Sequence, residues 1–422
     1  MSEKDRLVHG GDWMGYEMEY GKEPLDFSMN VNPFGIPEEV AKAIAGAAPL
    51  AFRYPDPECR RLRTALSGQE GVPAEWILCG SGAADLIDRI ALACGGMQGD
   101  AQRNEASSLR GEGKARYALV TAPTFSEYEE ALIRCGWSVG HWPLKVEDGF
   151  AMTEEFLSTM EANGNGLPGE LNRPDILFLC EPNNPTGVTT DRLLLERILR
   201  ACCRAGIILV IDECFHEFLD EPEEHTMKAF LAEYPNLILL RAFTKFYGMA
   251  GVRLGYCLCS DPEMLNRIKK AGQPWNVSLL AEEAGLAALK EDGWAEKTRQ
   301  LIRTERTWLQ QRLQELGAEY ISGEANYLLF RWPADGKRPE SCMEPADSGK
   351  PGPGAAPAGE EETACETLAK GLRRRGILIR SADNYAGLGA GWYRTAVRMR
   401  EENQQLITAL EEIGSGENSS LR

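Results

Sequence analysis

Three absences narrow the chain before any motif is read. No apolar run in its 422 residues is long enough to cross a bilayer, which takes about 20 largely apolar residues in a helix. Residues 1–11 are charged and lack the apolar core of an export signal, so a cytoplasmic protein is expected. Positive charge is in the minority: 46 Lys and Arg stand against 64 Asp and Glu, a formal net charge of −18. A field of that sign disfavours nucleic acid or an anionic membrane surface as the main partner, although arginines in a cleft can still receive a small anion. The third absence is metal and redox spacing. None of the 12 cysteines forms a CxxC pair, and Cys202-Cys203 and Cys257-Leu258-Cys259 have neither zinc nor redox spacing. They read as small buried hydrophobes in a reducing compartment, with no metal site expected. No internal repeat and no appended helix-turn-helix segment is visible, which disfavours a DNA-binding regulator.

What is present is a soluble globular composition, 43% hydrophobic and 26% charged, in a chain long enough for two connected domains. Strand-length apolar runs at Tyr117–Thr121, Ile176–Cys180, Ile207–Ile211, Leu237–Arg241 and Gly255–Cys259 alternate with helical patterns at Gly82–Ala93, Ser126–Arg134 and Asp191–Ala205. Such alternation predicts an α/β fold with a mostly parallel sheet flanked by helices. A long helical stretch from Pro274 to about Leu316 follows. After it come strand-like Ala325–Trp332, a helix near Thr363–Arg375, a strand at Ile377–Arg380, strand-like Tyr393–Arg398 and a helix near Glu402–Ile413. The expected division is an N-terminal arm with part of a small domain (1–50), a large α/β domain (51–275), and a linking helix with a small α+β domain (276–422). Residues 98–116, 163–173 and 333–362 read as insertions. The last is too poor in apolar residues to build a core and is expected to be disordered.

The most informative stretch is Arg241-Ala242-Phe243-Thr244-Lys245-Phe246-Tyr247-Gly248-Met249-Ala250-Gly251-Val252-Arg253. A lysine in an apolar setting loses part of its preference for the charged form and becomes a nucleophile for a carbonyl. Arg253 can depress its pKa further and grip a phosphate. Taken alone, a single lysine is more often a snorkelling surface residue. Ile211-Asp212-Glu213 puts a carboxylate at the end of a buried strand, where it needs a partner; an acidic helix cap is the plainer reading. Glu181-Pro182-Asn183-Asn184-Pro185-Thr186-Gly187 is a turn by composition. Cys79-Gly80-Ser81-Gly82-Ala83 is a glycine turn opening a helix, whose free N–H groups suit an anion.

In this order, these segments resemble the signatures of fold-type I pyridoxal-phosphate enzymes, the class I and II aminotransferase family, over nearly the whole chain outside the insertions. The resemblance implies pyridoxal 5'-phosphate bound to Lys245 as a Schiff base, with Asp212 on the pyridinium nitrogen and Asn184 on the ring hydroxyl. Ser81, Gly82, Ala83, Thr244 and Arg253 would form the phosphate cage, and Phe125 would stack on the ring. Arg53-Tyr54-Pro55 resembles the segment whose tyrosine reaches the cofactor phosphate of a neighbouring subunit, which implies a homodimer.

Within the family, the chain is most similar to threonine-phosphate decarboxylases of cobalamin biosynthesis and to histidinol-phosphate aminotransferases. The decarboxylase is the resemblance carried by the His9-Gly10-Gly11 opening, Leu25–Gly35, Ser126–Glu129, Gly376–Arg380 and Tyr393–Arg398. Phe215 also stands where most aminotransferases carry a tyrosine. The resemblance implies Arg380, Arg394, Asn32 and His9 as contacts for a small anionic amino-acid phosphate. The implied reaction is decarboxylation of L-threonine O-3-phosphate to (R)-1-aminopropan-2-yl phosphate, with an aminotransferase reaction as the alternative. The two reactions differ in which bond at the α-carbon stands perpendicular to the cofactor ring.

Overall fold

The computed structural model describes residues 10–95, 116–162, 173–333 and 364–414. His9, nearly all of the three inserted segments and the residues after Gly414 lie outside these. The first strand, β1 (Leu25–Asp26), precedes a seven-stranded sheet built from β2 (Ile77–Gly80), β3 (Tyr117–Ala122), β4 (Ser138–Pro143), β5 (Ile176–Cys180), β6 (Ile208–Asp212), β7 (Leu237–Ala242) and β8 (Gly255–Leu258). Its order is β2-β8-β7-β6-β5-β3-β4. β3 to β7 are mutually parallel, and β8 runs antiparallel to both of its neighbours.

Both faces of this sheet are covered, which explains why its strands read as continuous apolar runs. Ala118, Val120, Ile176, Phe178, Val210, Ile238 and Leu240 pack on one side with helices Ala83–Gly95, Glu127–Arg134 and Pro262–Lys270. Leu119, Leu177, Leu179, Leu209, Ile211, Leu237 and Leu239 face the other way, toward helix Arg192–Ala205 and the rest of the core. Asp191 starts that helix by accepting the Leu194 N–H, and Gly206, at φ +64°, ends it.

A second, antiparallel sheet follows in the order β12-β13-β10-β9, from β9 (Glu319–Tyr320), β10 (Tyr327–Arg331), β12 (Arg380–Ser381) and β13 (Trp392–Ala396). β1 pairs in parallel with β11 (Ile377–Leu378). The N-terminal segment therefore packs against the C-terminal third of the chain.

Three local expectations change. The stretch after Pro274 is two helices, Leu279–Ala288 and Trp294–Glu315, because Gly293 adopts φ +74° between them. The strand expected at Ile377–Arg380 divides between two sheets at Ile379. β4, a half-exposed edge strand of mixed polarity, had no apolar run to announce it.

The parallel strands end in the turns that carry the motifs, the usual place for a ligand in such sheets. The turn after Lys245 is held against residues 32–36: Lys245 C=O accepts the Asn32 N–H at 3.0 Å, and Gly248, at φ +63°, leaves no room for a Cβ against the Gly35 carbonyl. Gly248→Ala should lower stability by roughly 1–3 kcal/mol, measured as a fall in Tm. Gly46→Ala, inside a helix and with open space around it, should leave the Tm unchanged or raise it.

Candidate active site

At the end of β6, Asp212 is 5% exposed and held on both oxygens. The Tyr128 hydroxyl donates to Oδ2 at 2.7 Å and the Cys214 N–H to Oδ1 at 2.9 Å. Tyr128 stands edge-on to the half-buried Phe125, ring centroids 5.5 Å apart. The sequence pointed to Phe125 and passed over Tyr128 as a site residue. Phe125 precedes the helix that begins at Glu127, so no helical period linked it to Tyr128.

Lys245 lies in the short helix after β7, with its amine 5.8 Å from the centre of the Phe215 ring. Burial pushes its pKa down to about 8; Arg394 and Arg253 push the same way, while Cys214 and Asp212 oppose them. Phe215 is buried and packs edge-to-face on Tyr327 at 5.0 Å.

Asn184 is presented by the turn after β5. Its neighbour Asn183 ties that turn down, donating to Pro123 C=O and Thr186 Oγ1, both at 3.0 Å, while its own carbonyl accepts the Tyr327 hydroxyl at 2.9 Å. Asn184 Oδ1 accepts Arg394 Nη1 at 2.6 Å, so the group it offers the cleft is its amide N–H. Arg394 also donates to Ser28 C=O at 2.9 Å and stands over the Tyr327 ring. Its Nε is buried without a partner. Arg380 reaches Ser381 C=O and Asn384 Oδ1 and lies 5.3 Å over the Tyr385 ring. The Tyr385 hydroxyl is 3.5 Å from Arg394 Nη1. A cleft lined by Thr124, Phe125, Arg380, Asn384 and Tyr385 runs beside them.

The glycine turn has the shape of an anion cradle. Gly82 sits at φ +93°, and a Cβ there would lie 2.8 Å from Arg253 Nη2; bare backbone and a guanidinium thus share one small space. Ala83 opens the following helix, and the Ser81 N–H meets Asp85 Oδ2 at 2.8 Å. Thr244 is buried at the start of the lysine helix. Arg253 itself has φ +63°, a strained value for a side chain of its size.

Asn32, Tyr54 and His9 remain of the expected contacts. Asn32 spends its side chain on the protein: Nδ2 donates to Phe246 C=O and Thr298 Oγ1, and Oδ1 accepts the Phe34 N–H. It clamps the lysine turn rather than facing the cleft. Tyr54 is 81% exposed and meets the Trp275 ring at a tilt, centroids 5.0 Å apart, at the surface of its own chain. His9 lies outside the described residues.

A depressed lysine, a doubly held carboxylate, an amide donor and an arginine-backed glycine cradle fit pyridoxal 5'-phosphate: aldehyde, ring nitrogen, ring hydroxyl and phosphate each have a matching group. The family model for aminotransferase class I and II matches residues 22–410. The chain is 33% identical over 417 residues to the threonine-phosphate decarboxylase of Salmonella typhimurium, covering 97% of each. It is 27% identical over 390 residues to histidinol-phosphate aminotransferase 1 of Cupriavidus pinatubonensis, covering 92% of this chain and 87% of that one. Among solved structures, histidinol-phosphate aminotransferase of Sinorhizobium meliloti in complex with pyridoxal-5'-phosphate superposes with a TM-score of 0.74. That likeness is at 21% identity and covers 99% of this chain and 98% of the other. Fold and site together define a fold-type I pyridoxal-phosphate enzyme. The chain belongs to the class I and II aminotransferase family, and its cofactor is pyridoxal 5'-phosphate. Among the described residues, no helix is long and apolar enough to cross a membrane and no group of side chains could hold a metal.

The lowered lysine pKa has a direct consequence. The neutral amine predominates above about 8, whereas an ordinary lysine is neutral only above about 10.4. Capture of the cofactor by the apoprotein should accelerate as pH rises through about 8 and then level off, followed by visible absorbance. Lys245→Ala should lose the borohydride-reducible adduct altogether.

Proposed function

We propose that the chain decarboxylates an O-phosphorylated hydroxy-amino acid, L-threonine O-3-phosphate, to (R)-1-aminopropan-2-yl phosphate, the reaction expected of a cobalamin-pathway enzyme. The observation that carries this is the pairing of Arg394 and Arg380 about one tyrosine, Tyr385. Two guanidinium groups at separate, fixed positions suit a substrate with both a carboxylate and a phosphate. Support comes from the likeness to the Salmonella decarboxylase along the full length of both chains.

Bound pyridoxal phosphate supplies the electron sink for the bond broken at the substrate α-carbon. Lys245, with its pKa lowered to about 8, yields a neutral amine far more readily than an ordinary lysine and takes up or returns a proton at Nζ. Asp212, fixed by Tyr128 and the Cys214 N–H, would keep a proton on the ring nitrogen. Asn184 would donate its amide to the ring hydroxyl, while Gly82, Thr244 and Arg253 would receive the phosphate, with Ser81 and Ala83 beside them. Phe125 would cover one face of the ring. Arg394 and Arg380 orient the substrate so that its carboxylate is the group that leaves, as carbon dioxide, and the α-carbon takes a proton in its place. An aminotransferase acting on histidinol phosphate is the second reading, favoured by the likeness to the Cupriavidus enzyme. Its 2-oxoglutarate partner would also engage two cations.

The purified protein should release carbon dioxide from threonine phosphate. Glutamate formed from histidinol phosphate and 2-oxoglutarate, with threonine phosphate untouched, would establish the second reading instead. Arg394→Lys and Arg380→Lys should each raise KM about 10- to 100-fold, the equivalent of roughly 1.5–3 kcal/mol for a charge-assisted contact.

We also infer a homodimer with shared sites. Support comes from the exposed aromatic pair Tyr54 and Trp275, with Phe52 exposed nearby in sequence, side chains that a partner surface would cover. Mixing inactive Lys245→Ala chains with Tyr54→Phe chains should regenerate sites holding both native groups and recover activity. A fully active monomer in sedimentation would refute it.

A further inference from the structure

Asp212 ends β6 and Lys245 follows the adjacent strand β7 in a short helix, and a buried ion pair on the opposite face of the sheet joins the ends of those two strands. Side chains alternate across a strand, so where Asp212 meets Tyr128 on one face, Glu213 emerges on the other. There its Oε2 receives Arg241 Nη2 at 2.6 Å and Nε at 3.1 Å. Both side chains are almost wholly buried, at 1% and 6% exposure. Thr226 closes the arrangement: its Oγ1 lies 2.9 Å from Glu213 Oε2 and accepts Arg241 Nη2 at 2.8 Å. The Met227 N–H donates to Glu213 Oε1 at 2.9 Å. Glu70, which also takes the Tyr256 hydroxyl, approaches Arg241 Nη1 at 3.4 Å. Along the main chain, the Glu213 N–H donates to Leu240 C=O at 2.9 Å.

We propose that Glu213 and Arg241 are a positioning pair for the cofactor. They fix the offset between the ends of β6 and β7, and with it the relation of the Asp212 carboxylate to the Lys245 amine. This rests on the reading that Asp212 meets the ring nitrogen and Lys245 carries the cofactor. Cohesion alone does not explain the pair, because burying two charges is expensive and apolar residues would hold the strands as well. What the ion pair adds is direction: Arg241 Nε and Nη2 converge on Glu213 Oε2 while the Met227 N–H holds Oε1, so the carboxylate is fixed from both sides. A slip of one residue in β6 would turn Asp212 out of the cleft and Glu213 into it. The pair sits one residue after Asp212 and four before Lys245, with little intervening chain to absorb an error.

The test uses Glu213→Gln, Arg241→Lys, Thr226→Val and Asp212→Asn in the full-length protein loaded with cofactor. The readouts are the pH midpoint of the visible absorbance change and the Kd for pyridoxal phosphate binding to the apoprotein. When Asp212 is misaligned the ring nitrogen loses its proton and withdraws less electron density, so the lysine linkage holds its own proton more tightly. Glu213→Gln and Arg241→Lys should therefore raise the midpoint by about half a pH unit or more and weaken cofactor binding about tenfold. Thr226→Val should shift it the same way by less, and Asp212→Asn by the most. Should the charge variants fail to fold, as judged by circular dichroism, Thr226→Val decides alone, because it strands no charge. An unmoved midpoint and Kd in the folded variants, with Asp212→Asn shifted, overturns the positioning pair. A midpoint unmoved in Asp212→Asn as well overturns the reading of Asp212 and the pair with it.

Discussion

The site depends on making one amine easy to deprotonate. Lys245 is covered enough for burial to be the main cause of its lowered pKa, and the two cations that reinforce the effect are the arginines proposed above to receive anions. Arg394 is buried among Asn184, Ser28 and Tyr385, and Arg253 sits at the glycine cradle. Substrate and cofactor anions that engage these arginines would offset their push on the lysine. The groups that receive the ligands are thus the groups that prime the nucleophile, a coupling that follows from charge and distance alone. Asp212 and Cys214 pull in the opposite direction, which keeps the amine within reach of a proton instead of permanently stripped of one.

The sheet makes this possible by acting as a partition. Its two-residue period sends Asp212 to one face and Glu213 to the other, so adjacent carboxylates live in unrelated surroundings. Asp212 meets a phenol and a backbone N–H, while Glu213 meets a guanidinium, a hydroxyl and a backbone N–H. Neither could be exchanged for the other without stranding a charge. The buried Glu181 carboxyl shows what happens with less support. Held by Thr190 N–H and Oγ1 but by no cation, it has its pKa pushed up to about 7 by burial.

What could be read from the sequence follows from which contacts are local. The parallel sheet was legible because strands covered on both faces must be apolar throughout, and the lysine run, the Asp212 strand end and the Asn184 turn each carry their chemistry within a few residues. Ser28 was not legible as a neighbour of Arg394, since it comes from the far end of the chain, and Tyr385, though near in sequence, reaches Arg394 across a loop that no periodicity describes. The partners of Asn32 were hidden for the same reason: its amide donates to Phe246 and Thr298, more than two hundred residues further along the chain. The edge strand β4 escaped notice because an edge has no need of a fully apolar sequence.

Phe215 brings these constraints together. A tyrosine at this position could offer the cleft a hydroxyl, whereas phenylalanine offers only the face of a ring, set 5.8 Å from the lysine amine and braced edge-on by Tyr327. An aromatic face favours the ammonium form, but weakly, by about 0.5–2 kcal/mol. Burial and two arginines prevail, since the net shift is downward. Under the proposed roles, the absence of a phenol would leave donation to the ring hydroxyl to Asn184, whose oxygen is already committed to Arg394 and whose amide is thereby oriented. One arginine thus sets the direction of the donor, lowers the pKa of the nucleophile and stands ready for the substrate, and the sequence departure at Phe215 makes that arrangement more necessary, not less.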